Sequence, residues 1–235
     1  MDGVGRMKIA VIGTGSVGRT LAGKFEALGH EVTIGTRDVA ATLTRDTPDQ
    51  LGTPPFATWQ AERPEVGLAT FADAAAGSEL VVNATSGLAS LEALSAAGAA
   101  GAANLAGKVL MDVANPLDYS QGFPPGLDPV DSDSLGERIQ RAFPEARVVK
   151  TLCTVNTKVM VDPARVGGGE HTIFLSGDDT GAKALVGALL TAMGWSDIID
   201  LGNIRTARGQ EMLMRNWLNL LTTLGTAEFN IKVVR

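Results

Sequence analysis

The sequence predicts an α/β protein: a doubly wound, mostly parallel sheet between helices, followed by a small C-terminal α+β domain. Three observations predict it. A continuous apolar run, "MKIAVIG" (7–13), ends in glycine and suits a strand buried on both faces. The period then changes, placing Val17, Leu21, Phe25 and Leu28 on one helical face. The same strand-then-helix alternation recurs along the chain, which implies parallel strands joined by right-handed crossovers.

The elements follow in order. Gly29 is placed to end the first helix in the left-handed conformation. "EVTIG" (31–35) is the second strand, and "VGLATF" (66–71) is the third, after a proline-rich, weakly structured stretch at 46–64. "ELVVNAT" (79–85) is the fourth. The Ala/Gly-rich segment 87–107 reads as helix and loop. "KVLMDVANP" (108–116) is the fifth strand, stopped by Asn-Pro. Residues 121–129, "QGFPPGLDP", form a connector or a lid. "SLGERIQRAF" (134–143) opens on a Ser-x-x-Glu capping box, with Leu135, Ile139 and Phe143 on one face. "ARVVKTL" (146–152) is the sixth strand, and six suit a doubly wound nucleotide-binding sheet. Beyond it, "HTIFLSGDD" gives another strand, with Asp178 or Asp179 capping the helix "TGAKALVGALLTAMG". "DIIDLG" is a short strand, and a long amphipathic helix is expected over about 206–229. The domain division is therefore 1–152 and 153–235, with the apolar C-terminal helices packing on the first domain or on a second subunit.

Composition excludes several classes. The chain has 235 residues, 45% of them hydrophobic and 20% charged, as a packed globular core requires. Net charge is -6 and there is no basic tract, which argues against a nucleic-acid partner. No apolar stretch approaches the ~20 residues that span a bilayer, so no membrane association is expected. Cys153 is the single cysteine, which suits a reducing compartment, and the N-terminus lacks signal-peptide features; a cytoplasmic location is expected.

The motif that carries chemistry is "GTGSVGRT" (13–20), a Gly-x-Gly-x-x-Gly between strand and helix with a second strand following. Gly13 permits the tight turn, Gly15 lets the backbone approach a pyrophosphate, and Gly18 lets the helix lie close to the strand. This is the pattern of the NAD(P)-binding Rossmann fold. The end of the second strand selects the dinucleotide. An NAD site has an acid there, bonding the ribose hydroxyls. Here "IGTRD" (34–38) places Thr36 and Arg37 at that point, a hydroxyl and a guanidinium suited to a 2′-phosphate. Asp38 is the rival reading, at the nominal spacing but beyond the strand. The charge argument favours NADP.

Ligands of such sheets bind at the carboxyl ends of the strands. Those ends are Gly13–Val17, Thr36–Arg37, Asn83–Ser86, Ala114–Asn115 and Cys153–Asn156. Nicotinamide chemistry is hydride transfer, and an alcohol substrate would also need a proton donor or acceptor. His30 lies at the wrong end of its strand, and His171 reads as a loop residue. Cys153 reads first as a small buried residue, second as a thiol near substrate. There is no Ser/His/Asp set, metal cluster or close carboxylate pair, so no metal is expected. A flavin-like acceptor, which manages its own protons, would need no acid–base residue.

The run "MKIAVIGTGSVGRTLAGKFEALGHEVTIGTRD", with "VVNAT", "VLMDVANPL", "ARVVKTLCTVN", "FLSGDD" and the terminal "EFNIKVVR", resembles the NADP oxidoreductases dependent on coenzyme F420, a deazaflavin. The resemblance covers most of the chain and is weakest at 46–64 and 121–129. It implies a nucleotide-binding sheet with a small C-terminal domain, a homodimer, and reversible hydride transfer between NADP and F420. By position it implies that Thr14, Gly15, Ser16 and Val17 meet the pyrophosphate and that Thr36 and Arg37 hold the 2′-phosphate. Ala84 and Thr85 would lie under the nicotinamide, with Val155, Asn156 and Thr157 bordering both cofactors. The expected dinucleotide site thus comprises Gly13, Thr14, Gly15, Ser16, Val17, Gly18, Thr36, Arg37, Asn83, Ala84, Thr85, Asn115 and Thr157. Thr14, Ala84, Thr85, Cys153, Val155 and Asn156 are the candidates at the hydride-transfer site. The chain departs from the F420 enzymes beside the deazaflavin, where they carry His, Thr, an aliphatic residue and Pro and it carries Cys153, Thr154, Val155 and Asn156. Its glycine loop is also one residue shorter. Membrane ferric reductases carry a similar domain. Three readings follow: an NADP(H) oxidoreductase with a deazaflavin or flavin-like acceptor, a reductase of a small carbonyl or imine, and a dinucleotide sensor without turnover.

Overall fold

A computed structural model describes residues 4–48, 52–128 and 131–235. Parts of the stretches 46–64 and 121–129, and the first three residues, lie outside it. The order is β1 (Lys8–Ile12), α1 (Ser16–Ala27), β2 (Glu31–Thr36), α2 (Val39–Thr44), α3 (Phe56–Ala61), β3 (Gly67–Thr70), α4 (Phe71–Ala76), β4 (Leu80–Asn83), α5 (Ser90–Gly98) and β5 (Val109–Asp112). A small hairpin of β6 (Leu117–Asp118) and β7 (Gly126–Leu127) follows, then α6 (Leu135–Ala142) and β8 (Arg147–Lys150). The remainder is α7 (Thr157–Val161), β9 (Thr172–Leu175), α8 (Thr180–Met193), β10 (Asp197–Asp200) and α9 (Ala207–Leu224).

Six strands form one parallel sheet in the order β3-β2-β1-β4-β5-β8, the doubly wound arrangement expected. Alternation along each strand gives the sheet two apolar faces. Ile9 and Val11 of β1 point to one core, with Leu21 and Phe25 of α1 and Val186, Leu189 and Leu190 of α8. Ala10 and Ile12 point to the other, with Ala74 of α4, Leu94 of α5, Ile139 of α6 and Ala207 of α9.

The C-terminal part therefore has no separate core: α7 and α8 join the first face and α9 the second. Its two-stranded parallel sheet, β10-β9, meets the edge of the large sheet through an antiparallel bridge between Lys150 and Ser176. Asp179 is the residue that caps α8, accepting from Ala182 N at 2.6 Å, while Asp178 accepts from Ile204 N. The last helix is shorter than its apolar pattern predicts. It stops at Leu224 because Gly225 adopts φ +64 and caps it. The chain then turns back along β9, where Ile231 O accepts from Thr172 N at 2.9 Å. The weakly structured stretch 46–64 contains a short helix, α3, whose Phe56 packs under Arg19 of α1 (guanidinium to ring centroid 5.5 Å). Within 121–129 the described residues belong to the β6–β7 hairpin, which exposes Tyr119 and Phe123. Among the described residues, no helix is long and apolar enough to cross a membrane.

One polar cluster joins the two parts. Asn83, Asp112 and Lys150 are register neighbours on β4, β5 and β8, so their side chains leave the same face side by side. All three are fully buried. Lys150 Nζ lies 2.9 Å from Asp112 Oδ2, 2.9 Å from Glu211 Oε1 of α9, and 2.5 Å from the carbonyl of Ala114. Glu211 also accepts the first backbone N–H groups of α6, from Leu135 (2.8 Å) and Gly136 (3.1 Å). Burial alone would discharge the lysine, but the two carboxylates outweigh it and hold its pKa above the ordinary value. Removing one partner of a buried pair leaves the others uncompensated. Lys150→Met is therefore expected to lower stability in urea unfolding by about 3–5 kcal/mol. A loss typical of a surface pair, about 1 kcal/mol or less, would show that water reaches the cluster.

Candidate functional site

The glycine loop has the shape its residues imply. Gly13 adopts φ +122, and a Cβ there would come 2.6 Å from the carbonyl of Ala84. A Cβ on Gly18 would sit 2.1 Å from the carbonyl of Gly13. Gly15 differs: nothing lies within 4 Å of where its Cβ would be, and it caps α1 with no side-chain bond. The first N–H groups of α1 thus face open space, free of acidic residues in the first turn. Arg19 steadies the loop from behind, its Nε donating to Thr14 O at 2.7 Å while its guanidinium also bonds Pro54 O.

At the end of β2, the Thr36 and Thr42 hydroxyls lie 2.7 Å apart, and Thr42 donates its own proton to Asp38 O. Thr36 must then donate to Thr42, so its proton is committed inside the protein. Arg37 is the positively charged group at this strand end. The Arg37 side chain is 77% exposed and only 4.0 Å from the equally exposed Glu92, a weak pair. Asp38, the rival NAD-type acid, is turned away to cap α2, accepting from Ala41 N at 2.9 Å. Thr36, Arg37, Thr70, Phe71 and Glu92 line a cavity of about 190 Å³. A larger hollow of about 420 Å³, walled by Leu105 and Phe143, opens at the amino ends of the strands and has no part in the site.

The ends of β4, β5 and β8 meet beside this loop. Asn83 is fully buried. Its amide donates to Asp112 (2.8 Å) and Ser90 (3.0 Å), and its oxygen accepts from the Thr85 hydroxyl (2.7 Å). Its side chain belongs to the cluster beneath the cleft. Ala84 and Thr85 stand above it, Ala84 against Gly13. Asn115 Nδ2 donates to Cys153 O at 2.7 Å, tying the β5 end to the β8 end. Val155 is buried, and Asn156 caps α7 through Lys158 N at 2.9 Å, with Thr157 half-buried beside it. Ser16 and Val17 open the first turn of α1, both half-buried.

Both histidines have partners inside the protein. His30 Nδ1 accepts from Met7 N, and burial holds its pKa below the ordinary value. His171 bonds Pro163 O and Asn230 and packs edge-on against Trp195. Among the described residues, no group of three or more His, Cys, Asp or Glu comes together as metal ligands would.

Residues 8–116 match the family described as NADP oxidoreductase, coenzyme F420-dependent. A solved protein from Arthrobacter sp. FB24, provisionally described as an F420-dependent NADP reductase, is 61% identical; the match covers 97% of this chain and 100% of that one, with a TM-score of 0.93. The chain belongs to the F420-dependent NADP oxidoreductase family. It is accordingly an NADP-dependent oxidoreductase. The rat metalloreductase STEAP3 is 25% identical over 88% of this chain, which spans only 36% of that protein. An imine reductase from Aspergillus terreus shares the fold at TM-score 0.61 and 20% identity, over 94% of this chain and 64% of its own.

The side chain of Cys153 is fully buried, with Sγ 4.0 Å from Gln210 Oε1. Burial pushes the thiol up to about 12. The folded protein thus gives the thiol no exposed surface. Sequence reasoning missed Lys150, Asp112, Glu211 and Gln210. A signal existed: a lysine in "VVKTL" and an aspartate in "VLMDV", opposite charges inside apolar strands. Iodoacetamide is expected to leave Cys153 unmodified in the folded protein and to alkylate it rapidly in urea. An unfolded thiol ionises near 9.0 while the folded one resists to about 12, so stability should fall as pH rises through that window. A flat alkaline stability profile would contradict the assignment.

Proposed function

We propose that the chain exchanges hydride between NADP(H) and a deazaflavin or flavin-like acceptor, with coenzyme F420 the first acceptor to test. The observation that carries this reading is the 61% identity, over nearly the whole chain, to the Arthrobacter protein of that description. The residues present fit a 2′-phosphorylated dinucleotide. Gly15 and the open N-terminus of α1 would receive the pyrophosphate, with Thr14, Ser16 and Val17 around it. Arg37 would hold the 2′-phosphate, and Asp38, withdrawn to its helix cap, leaves that phosphate unopposed. Ala84, Thr85, Asn115, Val155, Asn156 and Thr157 would border the nicotinamide half. Bound NADPH supplies a hydride, and the protein's contribution is to fix the ring and exclude water. With His30, His171 and Cys153 committed elsewhere, the site favours an acceptor that handles its own proton over a carbonyl or imine.

A homodimer in the cytoplasm belongs to the same reading. Its support is the exposure of Met212 and Leu224 on α9 and a single, reduced cysteine.

Two measurements test this reading. Mixed with NADPH and F420, the protein is expected to bleach the deazaflavin absorbance. Saturable NADPH binding with no bleaching would exclude F420, and oxidation of NADPH by an imine would favour the smaller substrate. Arg37→Ala should weaken NADPH binding by about ten- to a hundredfold, the loss of a charge-assisted bond, while NADH binding stays nearly unchanged. Equal losses for the two nucleotides would remove Arg37 from the 2′-phosphate.

A further inference from the structure

Gly15 is the residue of the glycine loop that nothing packs against. It is exposed, and no atom lies within 4 Å of where its Cβ would be. A glycine so placed has the freest backbone in the loop, so its N–H is the costliest to order for a ligand. Yet one residue fixes both peptide units that flank it. Arg19 Nε donates to Thr14 O at 2.7 Å, and Arg19 N donates to Gly15 O at 3.0 Å. Both units are trans, and in a trans peptide the C=O and N–H point in opposite directions. Arg19 therefore draws the two carbonyls toward itself and turns the N–H groups of Gly15 and Ser16 away from the body of α1. Neither N–H has an acceptor among the described residues.

Arg19 is itself held. It is only 7% exposed, although it lies on the first helix beside an open loop. Its guanidinium bonds Pro54 O and lies over the Phe56 ring, 5.5 Å from the centroid. A planar fork with donors on several edges can serve two carbonyls and a ring face at once, which the point charge of a lysine cannot. The proline-rich stretch before β3 thus reaches the glycine loop through a single side chain.

The place of the loop says what those N–H groups are set for. It follows β1, which with β4 flanks the point where the strand order reverses, and there such folds seat a pyrophosphate against a helix start. We propose that Arg19 is a positioning residue for the pyrophosphate: it presets the N–H groups of Gly15 and Ser16, so that the loop needs no reordering when the dinucleotide arrives. Arg19 does this without touching the ligand. The role rests on the NADP-binding reading above.

The test compares two ligands, each measured by its displacement of NADPH. NADP⁺ carries the pyrophosphate; 2′-AMP keeps the adenosine and the 2′-phosphate and lacks it. Arg19→Met should weaken NADP⁺ binding by about tenfold, the loss of one ordered bond to a charged group, and leave 2′-AMP within about twofold. Arg19→Lys keeps a donor for Thr14 O and should bring NADP⁺ back to within about threefold of wild type. Equal losses for the two ligands would mark general damage to the fold and overturn the proposal. Unchanged NADP⁺ binding in the methionine variant, or a lysine variant as weak as methionine, overturns it equally. If Arg19→Met does not fold, Phe56→Leu decides, because it removes the ring and leaves both carbonyl bonds. NADP⁺ binding weakened by about threefold with 2′-AMP unchanged then supports the role, and any other pattern overturns it. If wild type binds no NADPH, the dinucleotide reading itself fails and takes this one with it.

Discussion

A lysine with no access to water organises this molecule. Lys150 joins the last strand of the parallel sheet to the strand beside it through Asp112 and to the C-terminal helix through Glu211. Such a triad is weak evidence for stability, since water would serve three charges as well. Its effect here is positional. Asp112 orients Asn83, Asn83 orients Thr85, and the third lysine proton fixes the carbonyl just before Asn115. The walls at the ends of β4 and β5 are thus set from below by one cation, and Glu211 fastens the start of α6 to the same point.

In the reading proposed above, the dinucleotide site divides its work by charge between an adenine side and a nicotinamide side. The adenine side is open and cationic, with an exposed arginine and an acid diverted into a helix cap. The nicotinamide side is buried and nearly neutral at its surface, its charges paired underneath. Binding energy would come from the first half and alignment from the second, the division expected where the cofactor brings its own reactivity.

Most of the architecture is legible in the sequence because it rests on local rules. Apolar runs ending in glycine mark β1 and β2, and the capping box at Ser134 forms as written, with its hydroxyl accepting from Glu137 N. Departures arise where tertiary contacts decide. The pattern of α9 runs on past Gly225, yet a left-handed glycine ends the helix and the chain returns along β9. Composition in 46–64 suggests little structure, but Phe56 has Arg19 to pack against and a helical turn forms. At the site, glycine spacing and Arg37 are readable because their roles are steric and electrostatic at short range. The side-chain roles of Thr36 and Asn83 are not, because each depends on a partner, Thr42 or Asp112, that only the fold supplies. Lys150 and Asp112 leave a trace in the sequence as charges in apolar strands. Their joint partner Glu211 lies sixty-one positions beyond the lysine, on a helix whose amphipathic pattern hides it.

That distance has a consequence for synthesis. The glycine loop is made well before α9, and the strands that flank the crevice are complete by Lys150. Until α9 emerges, however, Lys150 faces water on the side Glu211 will cover, and the first turn of α6 lacks its carboxylate. The crevice is therefore begun long before α9 and finished only with it. A nascent or clipped chain that ends before residue 211 would carry the glycine loop intact and still lack the clamp beneath the ends of β4 and β5.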